Sequence, residues 1–265
     1  MDKLKEKEAS QENNPVIANG SFNHLNNSII GKENKPNFDD VYKNTEPLKS
    51  LNQHKYAELK ELDIKVHPEL RIGNWKKVLI YPTYTISNNA STQEIEINQV
   101  SGQRIEEDGS KKSFPKISGS FYPVGCKSEE LNKYNKIYLC EGLATGDKVY
   151  TALDKKVPVL CYFSKGFLSK CLKNIKSVYP DIEIVIACDL DAVEDIKKVA
   201  RQYDHIYIAT PNFTEEEKEK FKQEFPDKKI SDFWDLWKVG GVERVKEELG
   251  KAYKPEDPEP IEFSK

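Results

Sequence analysis

Apolar and polar positions follow two different rhythms along this chain, and the change comes near residue 130. Between about 65 and 125 the pattern alternates with the period of a half-buried strand. VLIYPTYTI (78–86), EIEINQV (94–100) and SFYPVG (120–125) are the strand segments, separated by SNNAS and by the turn signal Glu107-Asp108-Gly109. They predict a small antiparallel sheet within 65–130. From Lys136 short, wholly apolar runs alternate with helix-length amphipathic runs. KIYLCEG (136–142), VPVLCYF (157–163), EIVIACD (183–189) and HIYIAT (205–210) read as strands. Segments 145–153, 166–179 and 192–203 read as the helices between them, with Val193, Ile196, Val199 and Ala200 on one face of the last. Strands apolar on both faces and separated by helices predict parallel βαβ units. The expected fold class is α/β: a parallel sheet of about four strands flanked by helices, preceded by the small β-rich subdomain. Helical segments at about 214–225, 231–238 and 242–252 complete a domain spanning 136–252. Residues 1–60, rich in Asn, Lys, Glu and Ser, predict a mostly disordered arm, with a short helix near 56–62 opening the ordered part. A charged, proline-containing tail, 253–265, is expected to fray.

Charge narrows the function classes. The 265 residues carry 41 basic and 44 acidic side chains, a net charge of −3. The chain as a whole is therefore no polycation, and any contact with nucleic acid must come from a local patch or a partner. No run of eighteen apolar residues implies a membrane span, and the first residues, MDKLKEKEASQENN, lack the apolar core of a signal peptide. A cytoplasmic protein with no membrane partner is the expectation. The five cysteines form no Cys-x-x-Cys pair and the four histidines are scattered, which favours reduced, buried thiols over a zinc site.

The candidate chemistry lies where apolar strands end in acids. Glu141 follows IYLC, and Asp189 and Asp191 follow VIAC. Ligands of open parallel sheets sit beyond the carboxyl ends of the strands. If the first and third strands are near neighbours, these three carboxylates converge. Residues i and i+2 of extended chain point the same way, so the Asp-x-Asp pair presents two carboxylates together. Such a group repels itself unless a cation joins it, and Mg²⁺ suits carboxylates, waters and phosphate oxygens. Acidic sites of this kind serve the transfer or hydrolysis of phosphate esters. The competing reading makes Asp191 the N-cap of helix 192–203.

At these residues, over about 136–240, the sequence resembles a Toprim domain, the catalytic module of bacterial-type primases, type IA and II topoisomerases and OLD-family nucleases. Glu141-Gly142 after the first strand and Asp189-Leu190-Asp191 after the third match that pattern. Within the superfamily it looks most like phage and plasmid primases. Glu141-Gly142-Leu143-Ala144-Thr145 resembles their Glu-Gly-x-Ala-Thr segment. Ser231-Asp232-Phe233-Trp234-Asp235-Leu236 resembles a later Asp-Phe/Trp-Asn-Asp-Leu motif, with Trp in place of Asn. Upstream, LIYPTYTI, the turn Gly109-Ser110-Lys111-Lys112 and the FYPVG end are similar too. Two departures stand out: DLDAVED lacks the glycine that many Toprim domains carry after the acids, and the chain has neither zinc-ribbon cysteines nor a Gly-x-x-x-x-Gly-Lys-Ser/Thr phosphate loop.

The resemblance implies that Asp189 and Asp191 bind Mg²⁺ (or Mn²⁺), with Glu141 a further ligand or general acid/base. Asp232 and Asp235 would be additional ligands or, alternatively, helix caps. Lys111, Lys112 and Lys116, beside Phe114 and near Phe121, would touch a template backbone or nucleotide phosphates, or else form a solvated hairpin tip. Lys165, before Gly166, would offer a phosphate contact at the same sheet edge. Trp234 and Trp237 are assigned to the core ahead of base stacking. The implied activity is Mg²⁺-dependent nucleotidyl transfer: primer synthesis from nucleotides on single-stranded DNA in replication of a plasmid or phage, with a replicative helicase or other replication protein as partner. A Toprim-type nuclease or phosphodiesterase, and a non-catalytic nucleic-acid-binding module, remain alternatives.

Overall fold

The computed structural model describes residues 37–73 and 77–256. Its elements in chain order are α1 (Phe38–Lys43), β1 (Glu46–Pro47), α2 (Lys55–Leu59), β2 (Arg71–Gly73), β3 (Val78–Asn88), β4 (Ile95–Ile105), β5 (Lys111–Ser113) and β6 (Tyr122–Val124). There follow β7 (Lys136–Cys140), α3 (Leu143–Ala152), β8 (Val159–Cys161), α4 (Leu168–Val178), β9 (Glu183–Ala187), α5 (Val193–Ala200), β10 (Ile206–Ala209), α6 (Glu215–Glu224) and α7 (Phe233–Gly250).

The first sheet has the order β1-β2-β3-β4-β5 and is antiparallel throughout, with one register shift between Thr83 and Tyr84. The second has the order β10-β9-β7-β8-β6. Its first four strands are parallel, as βαβ connections require, and they meet the expected mixed α/β class. Each runs apolar because it is covered twice. Tyr138, Cys140, Val159, Val185 and Ala187 face the cluster that includes Leu143, Val149, Leu236 and Val245 of α3 and α7. Ile137, Leu139, Leu160, Ile184 and Ile186 face Leu172 and Ile175 of α4 and Ile196 of α5. Burial of each such side chain is worth about 1.5–3 kcal/mol.

Three expectations are corrected. SFYPVG does not join the antiparallel subdomain: β6 pairs antiparallel with β8, Tyr122 opposite Cys161, as the edge of the second sheet. All three of its residues are buried, so its pattern is that of a doubly covered strand. Tyr84 and Phe121 then exchange backbone hydrogen bonds of 2.8 Å each way, which fastens the two sheets together. Residues 37–60, expected to belong to a mostly disordered arm, carry helices and buried side chains instead; residues 1–36 of that arm lie outside the described residues. The polar average of 37–60 conceals a few decisive apolar side chains. The Phe38 ring fills the space beside Gly102, where a Cβ would stand 2.0 Å from the ring, and it meets Phe114 at 5.3 Å. Leu48, Tyr56 and Ala57 are also buried. The expected frayed tail begins with an ordered contact: Tyr253 forms an antiparallel bridge to Ile208 beside β10. Residues 257–265 lie outside the described residues.

Segment 54–67 is held against α3 by buried charge. Asp147, fully buried, accepts from the Asp63 N–H at 2.7 Å and lies 3.0 Å from His67 Nε2. α7 runs through two expected helices, 231–238 and 242–252, and Gly241 breaks it at φ 75°.

Candidate active site

The acids meet because β7 and β9 are neighbours, with Cys140 in register with Ala187. Glu141 leaves the sheet one residue past that pair. Cys188 still donates its N–H to Ala209 O at 2.9 Å, so Asp189 is the first residue free of the sheet. Next, Leu190 N–H donates to Ser231 O at 2.9 Å, which draws the SDFWD segment onto DLD. Asp232 thereby arrives beside Asp189, and the Thr145 hydroxyl donates to its Oδ2 at 3.2 Å. Glu141, Asp189 and Asp232 line one cleft of about 280 Å³. The other walls are the β4–β5 turn, Glu107 to Gly109 with Lys111, and the end of α2 with Tyr56, Leu59 and Lys60. Gly109, at φ 85°, lets that turn lie on Tyr56, 3.4 Å from where a Cβ would be. A Cβ at Gly142 would stand 3.1 Å from Lys111 Nζ, the movable end of that side chain.

The cleft is electrostatically divided. Burial pushes the Asp189 carboxyl up to about 8, helped by the charges of Asp232, Glu141 and Asp191 and opposed by Lys111. Its Oδ1 is buried without a hydrogen-bond partner. Burial also raises Glu141, with Lys111 and the Lys165 N–H opposing. Lys111 is exposed on β5, yet the cleft crowds its ammonium; that desolvation disfavours the charge, but Tyr56, Asp232, Glu141 and Asp189 outweigh it and hold the ammonium above its usual range. Lys60 is pushed down to about 8, by burial first and by Lys228 and Lys111 next, against Asp232 and Asp235.

The donors suit a hard cation in kind. They are carboxylate oxygens, one of them buried and unpartnered, in mutual repulsion. Among the described residues no three Asp, Glu, His or Cys side chains already stand as a closed metal cage. Mg²⁺ does not ask for one, since it binds through one or two carboxylates completed by waters and phosphates.

No model of a protein family matches the sequence, and no curated protein matches it either. Solved structures do match in shape. The primase fragment of the bacteriophage T7 primase-helicase superposes over 77% of this chain and 80% of its own, with a TM-score of 0.51 and 14% identity. A chain of the bacteriophage T7 assembly of lagging-strand DNA polymerase with primase domains gives 0.51 at 13% identity, over 74% of this chain and 91% of that one. The DnaG primase catalytic domain bound to single-stranded DNA gives 0.50 at 9% identity, over 81% and 77%. The chain has a primase-like fold.

Within the primase-like fold the sequence-derived residues separate. Asp191 is exposed at the rim, near enough for its charge to act on Asp189 and Glu141. It does not cap α5, whose N-cap is Ala192 with no side-chain hydrogen bond. Asp232 and Asp235 form a capping box on α7. Asp232 Oδ1 accepts from Asp235 N–H at 2.9 Å, which leaves Oδ2 on the Thr145 side. Asp235 Oδ2 accepts from the N–H groups of Ser231 and Asp232 at 2.7 and 3.1 Å, and the residue does not line the cleft. Two backbone donors thus occupy that oxygen, the contacts of the capping alternative.

The lysine cluster also divides. Alternation along β5 puts Lys111 in the cleft and turns Lys112 toward Glu106, 3.6 Å away. Lys116 is exposed and lies outside the cleft. Phe114 and Phe121 are buried, so neither offers a stacking surface. The Lys165 ammonium lies 3.6 Å from Asp195, while its backbone N–H favours the charged form of Glu141. Trp234 is fully buried, as assigned, and Trp237 is half-buried beneath the Lys148 ammonium. Sequence reasoning missed Tyr56, Lys60 and Lys228. No motif marks any of them; only Thr145, inside the Glu-Gly-Leu-Ala-Thr segment, carried a signal.

Proposed function

We propose that this chain is a primase-type nucleotidyltransferase that joins nucleotides into short primers on single-stranded DNA. One observation carries the reading: a buried, unpartnered Asp189 carboxylate oxygen sits with Glu141 and Asp232 in a cleft that also holds three lysines, on a primase-like fold. Asp189 and Glu141 would hold Mg²⁺, with Asp232 and Asp191 completing its surroundings. Bound Mg²⁺ supplies charge neutralisation at the transferring phosphoryl group.

The chain's own residues do the rest. Lys111 keeps its charge beside the acids and offers it to nucleotide phosphates. The Lys165 N–H favours the charged form of Glu141, and the Thr145 hydroxyl fixes Asp232. Without a cation the Asp189 carboxyl is pushed up to about 8, which favours its protonated form at neutral pH; bound Mg²⁺ would favour the carboxylate. The template strand, a helicase or other replication partner, and a plasmid or phage setting belong to the same proposal. The likeness to a fragment of a primase-helicase supports the helicase partner.

The test is primer synthesis on single-stranded templates with nucleotides and Mg²⁺, run beside a nicking assay on the same DNA. The expected result is primer synthesis in the wild type and its loss, by about a hundredfold or more, in Asp189→Asn and Glu141→Gln. Undiminished priming by either variant overturns the assignment. Nicking without priming transfers the site to hydrolysis.

A further inference from the structure

The end of α2 sets two unlike side chains next to each other on one wall of the cleft. Leu59 is 45% exposed, an unusual position for a leucine beside a polar site. Lys60 places its ammonium over the Trp234 ring, 3.1 Å from the centroid, and Lys228 reaches the same ring at 5.9 Å. None of Lys60, Lys111 and Lys228 forms a salt bridge to a carboxylate among the described residues. Their charges are therefore available to an anion. Four large apolar side chains are well exposed among the described residues, and two belong to this region: Leu59 in the cleft wall and Leu190 directly after Asp189.

The wall is also held still. Trp234 Nε1 donates to Lys60 O at 3.2 Å, and the Lys148 ammonium donates to Glu61 O. Lys238 Nζ lies 3.1 Å from Glu61 Oε1. Glu61 itself sits at φ 49°, a left-handed conformation that a residue with a Cβ keeps only where its surroundings impose it. Three side chains from α3 and α7 thus fix the turn that presents Leu59 and Lys60. Packing does not explain Leu59, which joins none of the core clusters.

We infer that Leu59 and Lys60 form the nucleotide-binding wall of this cleft, Lys60 gripping phosphate oxygens with Lys228 and Leu59 covering the base or sugar. This rests on the nucleotidyl-transfer reading and names the residues outside its motifs that select the substrate. A cation bound against an aromatic face offers its outer hydrogens to a phosphate, and an apolar side chain one residue away shields the flat, less polar part of the same ligand.

The experiment is calorimetric titration with two probes, ATP and inorganic tripolyphosphate, each with Mg²⁺, on the full chain and on Leu59→Ala, Lys60→Gln and Lys60→Arg. Thermal unfolding confirms that each variant is folded. Lys60→Gln is expected to weaken both probes by about tenfold, the loss of one charge-assisted contact. Lys60→Arg is expected to recover most of that loss for both. Leu59→Ala is expected to weaken ATP several-fold and leave tripolyphosphate within about twofold. Wild-type affinity for both probes in Leu59→Ala and Lys60→Gln overturns the inference, as does an equal loss of both probes in Leu59→Ala. If the wild type makes primers while both variants keep its KM for nucleotide, this wall is refuted and the function stands. A wild type that neither primes nor binds ATP removes both.

Discussion

Replacing Asp189 by Asn should make the protein more stable at neutral and alkaline pH. The carboxyl has an ordinary pKa of 3.8 and is raised in the folded chain to about 8. The folded state therefore binds a proton that the unfolded state releases, and between those values stability falls as pH rises. Below about pH 4 both states are protonated and there is no penalty; it accumulates up to about pH 8 and is constant above. At pH 7 the difference is about 4 kcal/mol at 1.36 kcal/mol per pH unit, and partial access of water reduces it to about 2–4 kcal/mol. Asn is neutral throughout and nearly the same shape, so it removes that penalty. For a domain of this size the gain is roughly 5–12 °C in Tm. The assay is urea and thermal unfolding of wild type and Asp189→Asn from pH 4 to 9, without divalent cations. The two should converge near pH 4 and separate progressively to pH 8. Equal stability at pH 8, or a less stable variant there, would refute the claim that this half-buried carboxyl is desolvated among like charges that Lys111 only partly offsets.

Two further outcomes follow from named contacts. Asp235→Ala strips the acceptor from the Ser231 and Asp232 N–H groups and should cost about 1–2 kcal/mol in urea unfolding; a change below about 0.3 kcal/mol would show that the capping box does not carry the start of α7. Lys60, whose ammonium is pushed down to about 8, should acylate with a rate that rises to half its maximum near pH 8, read by peptide mass spectrometry against exposed lysines that follow their usual range above pH 10; a matching pH profile for Lys60 would contradict its desolvation by burial, aided by Lys228 and Lys111.

How much of this was readable beforehand depends on where the information lies. Glu141 and Asp189 were visible because apolar strands ended in charge, and burying that charge for no purpose is costly. Their adjacency was not visible: it depends on β9 lying next to β7, a pairing that two apolar runs cannot specify on their own. Asp235 had a local signature, an acid three residues after a capping acid, and the capping box is formed. β6 was misplaced because three buried residues in a row suit either sheet. Lys60 was hidden twice. It sits in a stretch whose average composition reads as solvated, and its backbone partner, Trp234, is 174 residues away.

The division of charge within the cleft has a physical consequence. The acids sit at strand ends and at a capped helix start, places whose positions are fixed by hydrogen bonds of the sheet and of α7. The lysines stand on the β4–β5 hairpin, on the end of α2 and on the loop after α6, the less regular parts of the fold. Had both signs come from one element they would have neutralised each other as short ion pairs, leaving nothing for a ligand. Set on separate elements, Lys111 and the acids feel one another's fields without forming a salt bridge. That separation needs the two sheets to be locked, which the Tyr84–Phe121 exchange, the His67–Asp147 contact and the Trp234–Lys60 hydrogen bond accomplish from three sides. The region before residue 130 is thus half of the site, and the cleft exists only where the two halves are joined.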